Sequence, residues 1–179
     1  KYANGRVLQV QSIYDQLPVQ LEGENKRFVL NSVDPKASYE KYQRDFVWLV
    51  NAGVALKTDI VTEPKSPLLK TARPSQFKLY QSDTGMLMAR YPAGVAQAAY
   101  LDSKEPNLGG VYENVVAQQL VAQGRELYYY QTKRRGEVDF VVDGADGAAV
   151  PIEVKSGAYY HAHAALDHVV ETAEYGVRR

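Results

Sequence analysis

Asp139, Glu153 and Lys155 have the types and spacing of a site that cleaves phosphodiesters. Side chains alternate faces along a strand, so Asp139 and Val141 are predicted to share one face of a strand over 137–142. Glu153 and Lys155 would share a face of the next strand, 150–155. The turn Asp143-Gly144-Ala145-Asp146-Gly147 joins the two, and a hairpin symmetric about Asp146 sets Asp139 opposite Glu153 and Glu137 opposite Lys155. Carboxylates directly across an antiparallel ladder repel unless a cation sits between them, and a divalent metal would serve. Oxygen ligands without cysteine or histidine suit Mg²⁺ or Mn²⁺, ions that bind through one or two carboxylates plus substrate phosphate. Such an ion lowers the pKa of a bound water, while Lys155 would orient the nucleophile or stabilise the transition state. Glu113, in the first turn of a preceding helix, offers a further carboxylate, directly or through water. The predicted catalytic set is therefore Glu113, Asp139, Glu153 and Lys155, with Asp139, Glu153 and Glu113 as metal ligands. A purely structural account also stands: a Glu137–Lys155 cross-strand pair, a Glu113 favoured by the helix dipole, and two carboxylates facing solvent.

These residues need elements to hold them. Val115, Val116, Leu120 and Val121 are read as the apolar side of a helix over 111–123, stopped by Gly124. Leu127 to Gln131 reads as a strand, and His161 to Glu174 as an amphipathic helix. Upstream, the spacing of Val7, Val10, Ile13, Tyr14 and Leu17 predicts a helix over 6–17 that ends at Pro18. Ser38 as N-cap and Gly53 as C-terminal stop predict a second helix over 39–52. Two strands follow, Val54 to Val61 and Phe77 to Tyr80, around the turn-rich 62–67. Helix, helix, hairpin is the order of a winged helix. From Ser82, short helices are expected, with Asp83 near an N-terminus and Met86 and Leu87 packing, then a loop through Pro106.

Glu137-Val138-Asp139-Phe140-Val141-Val142 followed by Pro151-Ile152-Glu153-Val154-Lys155-Ser156-Gly157 resembles the signature of PD-(D/E)XK phosphodiesterases, with Glu113 at the position of that class's helical glutamate. More closely, the chain is similar to the family called domain of unknown function 4143, the C-terminal region of bacterial and archaeal AAA-type ATPases. The similarity rests on Trp48-Leu49-Val50-Asn51-Ala52-Gly53, Phe77-Lys78-Leu79-Tyr80 with Asp83-Thr84-Gly85, and Gly110-Val111-Tyr112-Glu113-Asn114. The resemblance implies an α/β (α+β) fold: a winged-helix-like domain over 1–81, then a restriction-endonuclease-like mixed sheet flanked by helices over 82–179, truncated at its C-terminus. It also implies an ATPase domain upstream, outside this sequence, which has no phosphate-loop motif and is not expected to bind ATP.

Two basic groups are candidate nucleic-acid contacts. Lys133-Arg134-Arg135 precedes the strand bearing Asp139, and Lys41 and Arg44 lie on the helix in the recognition position of a winged helix, with Lys57 nearby. The first reads equally as a solvated turn, whereas the helix carrying the second has an apolar face that needs burial whatever it does, and winged helices also serve as protein contacts, which accounts for it better than DNA contact. Tyr128-Tyr129-Tyr130 could stack on unpaired bases, although packing into the core accounts for it better. His161, His163 and His168 do not converge on one helix face and are read as structural or surface residues.

Composition bounds these readings. The 179 residues carry 21 Lys+Arg and 21 Asp+Glu, so no global charge draws the chain to a polyanion. Residues 1–80 hold 12 Lys+Arg against 8 Asp+Glu, and residues 81–179 hold 9 against 13. The absence of cysteine excludes disulfides and thiolate metal sites and suits a reducing compartment, hence a cytoplasmic location. No apolar run approaches the roughly 18 residues of a membrane span, so no membrane partner is expected. The sequence opens without methionine and is expected to be a fragment. Two functions follow: a divalent-metal-dependent nuclease module directed at nucleic acid, chiefly DNA, or a non-catalytic nucleic-acid- or protein-binding module that regulates the upstream ATPase.

Overall fold

The computed structural model describes residues 5–23, 25–101, 108–155 and 163–177 as an α+β fold, with six α-helices and one five-stranded sheet among them. Ser156 and Gly157 of the strand motif, His161, and the loop through Pro106 lie outside the described residues.

α1 (Val7–Glu22) buries Val10, Ile13, Leu17 and Leu21 at helical spacing. It continues past Pro18, where the sequence predicts a stop. Proline cannot donate to the carbonyl four residues back, which is that of Tyr14. The guanidinium of Arg90 donates to that carbonyl instead at 2.7 Å, reaches Asp15 at 2.9 Å and lies 4.4 Å from the Tyr14 ring centroid. α2 (Tyr39–Asn51) starts as predicted, with the Ser38 hydroxyl accepting from the Lys41 N–H, and buries Tyr42, Phe46 and Leu49. Gly53 and Gly124 take the left-handed φ values, 67° and 76°, that their helix-stop roles require.

The sheet order is β2-β1-β3-β4-β5. β1 (Ala55–Val61) and β2 (Ala72–Gln81) form an antiparallel hairpin, and β1 lies parallel to β3 (Tyr128–Thr132). β3, β4 (Gly136–Asp143) and β5 (Ala149–Ile152) then meander antiparallel. The hairpin assigned from sequence to a winged helix is thus hydrogen-bonded into the same sheet as the strands of the nuclease-like motif, and the ladder crosses the expected boundary at 81/82. α3 (Thr84–Met88), α4 (Ala93–Tyr100) and α5 (Gly109–Ala122) complete the crossover from β2 to β3, and α6 (Ala164–Glu171) follows β5. Asp83 caps α3 by accepting from the Met86 N–H at 2.8 Å; Leu87 is buried, but Met86 is about half exposed.

Three apolar clusters fix the layers. α1 and α2 pack with Phe28, Phe77 and Leu79, where the Phe46 and Phe77 rings meet edge to face at 4.8 Å. α5 covers Tyr80, Phe140 and Val142 on one face of the sheet, and α6 covers Val61, Tyr128, Val138 and Val141 on the other. The buried side of α5 is Gly110, Val111, Glu113, Asn114 and Ala117. Val115 and Val121, expected on its apolar side, are exposed instead, because the helix turns two polar residues with partners inward. Among the described residues no helix is long and apolar enough to cross a membrane.

Candidate functional site

The β4–β5 ladder pairs Phe140 with Ile152, Val141 with Pro151 and Asp143 with Ala149, the register centred on Asp146 that the turn predicts. β5 ends at Ile152, however, one residue short of an Asp139–Glu153 pair. The Val154 N–H donates to Asp139 Oδ2 at 2.8 Å, so a side chain closes the ladder in place of a carbonyl.

Strict alternation also fails at Asp139. β4 takes three residue steps from Val138 to Val141 while β3 takes two from Tyr130 to Tyr128, a bulge at Asp139 and Phe140. Val138 and Val141 both pack towards α6, while Phe140 packs towards α5 and Asp139 meets charges from the α5 side. Asp139 and Val141 therefore lie on opposite faces. Ile152 and Val154 pack towards α5, which turns Glu153 between them to the α6 side.

A cation does sit among the carboxylates, and it is Lys78 of β2. Its side chain has no exposed surface, and its Nζ lies 3.3 Å from Glu113 Oε2 and 3.8 Å from Asp139 Oδ1 and forms an ion pair with Glu137. Lys26 Nζ holds the other Glu113 oxygen at 2.8 Å, and the Tyr80 hydroxyl donates to Oε2 at 2.8 Å. Both Glu113 oxygens are thus engaged. The neighbouring Asn114 accepts from the Gln81 N–H at 2.7 Å and donates to the Gln81 carbonyl at 3.0 Å, locking α5 to the end of β2.

The electrostatics follow from this crowding. Burial works against charge on Lys78, but Glu113, Glu137 and Asp139 outweigh it and hold its pKa above the ordinary lysine value. Burial would likewise raise Glu113, yet Lys78 and Lys26 bring its pKa below the usual carboxylate value. Asp139 is pushed up to about 6, first by burial and then by the Glu113 carboxylate, against the opposing pull of Lys78 and the Val154 N–H. Burial and the Glu113 carboxylate put the Tyr80 hydroxyl far above its ordinary range.

Glu153 and Lys155 stand apart from this group. Glu153 Oε1 pairs with Lys155, not with a residue of the Lys78 cluster, and Glu137 pairs with Lys78 rather than with Lys155. Glu153 Oε2 faces His163 Nδ1, next to α6, at 3.5 Å without the alignment of a hydrogen bond. Among the described residues no three of His, Asp and Glu come together closely enough to hold one metal ion. As placed, Glu113, Asp139 and Glu153 do not fit a single three-carboxylate centre.

Of the basic candidates, Lys133, Arg134 and Arg135 form an exposed turn between β3 and β4. Lys41 pairs with Asp34 at 2.9 Å and lies over the Tyr42 ring, and Arg44 is exposed on α2. Tyr128, Tyr129 and Tyr130 are all buried and offer no stacking face. His168 lies in α6. The residues that sequence reasoning missed are Lys26, Lys78 and Glu137 as members of the charged cluster. Lys78 had a signal: it sits between Phe77 and Leu79 in a strand with Tyr80, where alternation buries one face and the next, and a lysine so flanked needs counter-ions.

Residues 108–176 match the model of the family described as Domain of unknown function (DUF4143). No curated protein and no solved structure matches the chain. The matched segment carries Glu113, Glu137, Asp139, Glu153 and Lys155, whereas Lys26, Lys78 and Tyr80, which neutralise or bond its buried carboxylates, lie outside it.

Proposed function

We propose that this chain is a non-catalytic interaction module, built on a nuclease-like helix and three-strand arrangement, that offers the Lys133-Arg134-Arg135 turn to a nucleic-acid backbone beside an ATPase domain. The observation that carries this reading is the seat of Lys78. Its ammonium already neutralises Glu113, Glu137 and Asp139, while Glu153 and Lys155 are turned to the opposite face. A carboxylate held by two lysines and a tyrosine is a structural anchor rather than an available metal ligand. An exposed basic turn suits phosphate contacts, which position a protein on nucleic acid without reading its sequence.

A second reading, a Mg²⁺- or Mn²⁺-dependent phosphodiesterase of the PD-(D/E)XK kind, is favoured by one observation. Among the described residues Glu153 Oε2 has no hydrogen-bond partner, and Asp139 Oδ1 lies 3.8 Å from Lys78 Nζ. Both residues lie one step beyond the paired ladder but face opposite sides of the sheet, so a shared ion requires Glu153 to turn to the α5 side on binding. The ion would supply Lewis-acid activation of water, and Lys155 would face the phosphate.

One set of measurements separates the two. Mg²⁺ and Mn²⁺ titration by calorimetry and a DNA cleavage assay are run on the chain and on its Asp139→Ala, Glu153→Ala double variant, with duplex binding followed by anisotropy. The interaction module is expected to show no metal binding at millimolar concentration and no cleavage. Its duplex binding should weaken with salt with a log–log slope of about −2.7 for three phosphates and vanish in the Lys133, Arg134, Arg135→Ala variant. Metal-dependent cleavage lost in the double variant would install the phosphodiesterase. Absence of any salt-dependent binding would remove the nucleic-acid partner.

A further inference from the structure

Away from the charged cluster, the outer edge of β2 is met by the segment 25–31. The Phe28 N–H donates to the Phe77 carbonyl at 2.8 Å, Arg27 bridges to Lys78, and the Phe28 ring stacks on that of Phe77. Beyond Phe77 the strand bulges: β2 takes four residue steps from Phe77 to Arg73 while β1 takes one from Asp59 to Ile60. Ser75, in the middle of the extra residues, and the segment 25–31 line a cavity of about 360 Å³, together with Ala37 just ahead of α2. We infer that this cavity is a binding site for a carboxylate that carries a short apolar body, with Arg27 as the group that pairs with the carboxylate. The site lies outside the family match at 108–176 and does not depend on the function proposed above.

The lining selects that ligand. Arg27, Asn31 and Ser75 contribute polar side chains that make no hydrogen bond or ion pair with any described residue. Asn25 is already engaged, since its Oδ1 accepts from the Arg27 N–H at 3.0 Å and fixes the backbone that carries the guanidinium. An unpaired guanidinium is a planar fork that matches a carboxylate with two parallel hydrogen bonds. Asn31 and Ser75 add donors without adding charge, so the lining offers one positive charge, which suits a monoanion better than a phosphate dianion. Phe28, Leu30 and Ala37 make up much of the rest, so the anion needs carbon beside its charge, which inorganic phosphate lacks. The volume is at the lower end of the range for small-ligand pockets, about 300–1,000 Å³. The wall is also held from behind. Gln20 of α1 accepts from the Val29 N–H at 3.0 Å and donates to Ser32 at 2.8 Å, and the buried Phe28 meets Phe46 edge to face. A wall fixed in this way loses little freedom when a ligand arrives.

A short free acid and the C-terminal residue of a peptide share this chemistry, and the test separates them. Hexanoate is titrated into the full chain and followed by backbone amide shifts, with hexanamide as the control without charge and inorganic phosphate as the control without an apolar body. Saturable hexanoate binding is expected with a Kd on the order of 1–10 mM, with shifts centred on residues 25–31, Ala37 and Ser75, and with neither control binding in that range. Arg27→Gln, at an exposed position, should leave the thermal melt unchanged and weaken hexanoate binding at least about tenfold. A short peptide ending in leucine that binds more tightly than hexanoate as the free acid, and fails as its C-terminal amide, supports the site and assigns it to chain ends. Binding no tighter than hexanoate supports it and assigns it to small free acids. The inference is overturned by the absence of a saturable shift up to about 50 mM hexanoate, by equal binding of either control, or by undiminished binding to Arg27→Gln. None of these results bears on duplex binding through Lys133-Arg134-Arg135.

Discussion

The two faces of the sheet carry almost the same chemistry and use it differently. On the α5 face, Lys78, Glu113 and Asp139 are buried among Tyr80 and Tyr129, with Glu137 only slightly more open. On the α6 face, Glu153 is paired with a Lys155 whose side chain is 35% exposed and lies near a His163 that is 31% exposed. Water reaches the Lys155 ammonium on the second face, although Glu153 itself is only 8% exposed, and does not reach the Lys78 ammonium on the first. The two faces thus differ in the burial of the cation rather than of the carboxylate.

That contrast can be broken by mutation. Removing the buried ammonium by Lys78→Met leaves three carboxylates short of a counter-ion and should cost about 3–5 kcal/mol in urea unfolding without added metal. A loss under about 1 kcal/mol would show that water reaches the cluster and that the two faces are equivalent. The next effect in size is a pH dependence. The folded-state pKa of Asp139, about 6, lies above its unfolded value of 3.8, so the folded chain binds the extra proton. Its contribution is most favourable below the unfolded pKa and is lost as pH rises through 6, costing about 3 kcal/mol by neutral pH. Stability followed between about pH 4 and 7 should fall by that component in the wild type, and Asp139→Asn should flatten it; an unchanged slope would mean that Asp139 is not the group responsible. The smallest effect belongs to the other face. Lys155→Ala should change unfolding stability by about 1–2 kcal/mol, because the lysine is partly solvated while its partner Glu153 is 8% exposed. A larger loss would make the α6 face as dependent on its ion pair as the α5 face is on Lys78.

Much of the local structure could be read in the sequence, and the failures have local physical causes. Ser38 and Gly53 announce α2, and the turn 143–147 sets the β4–β5 register residue for residue. Pro18 misleads because the carbonyl it leaves free is taken by Arg90, a partner 76 residues from Tyr14. Asp139 misleads because alternation assumes an unbroken ladder, and a bulge depends on what the neighbouring strand and covering helix require. In α5, an apolar count favours Val115 and Val121, whereas Glu113 and Asn114 face inward since Lys78, Tyr80 and Gln81 await them. The charged cluster was legible in two of its carboxylates and obscure in its cations. Asp139 stands out by its spacing to Glu153 and Glu113 by its place in the first turn of a helix, but Glu137 was read as a partner of Lys155, and Lys26 and Lys78 join the cluster only through the order in which strands enter the sheet.

The parallel pairing of β1 with β3 gives the protein a particular order of assembly. The β1–β2 hairpin is local and can close early, carrying Lys78 on it, whereas Glu113, Glu137 and Asp139 are made later and reach it only after α3, α4 and α5 have crossed over. During that interval the lysine's charge must remain in water. Docking of the β3–β4 pair beside β1 would then also bring Glu137 and Asp139 to the lysine, so that the parallel closure and the burial of charge coincide. Salt should act on the rate of that step as well as on the equilibrium.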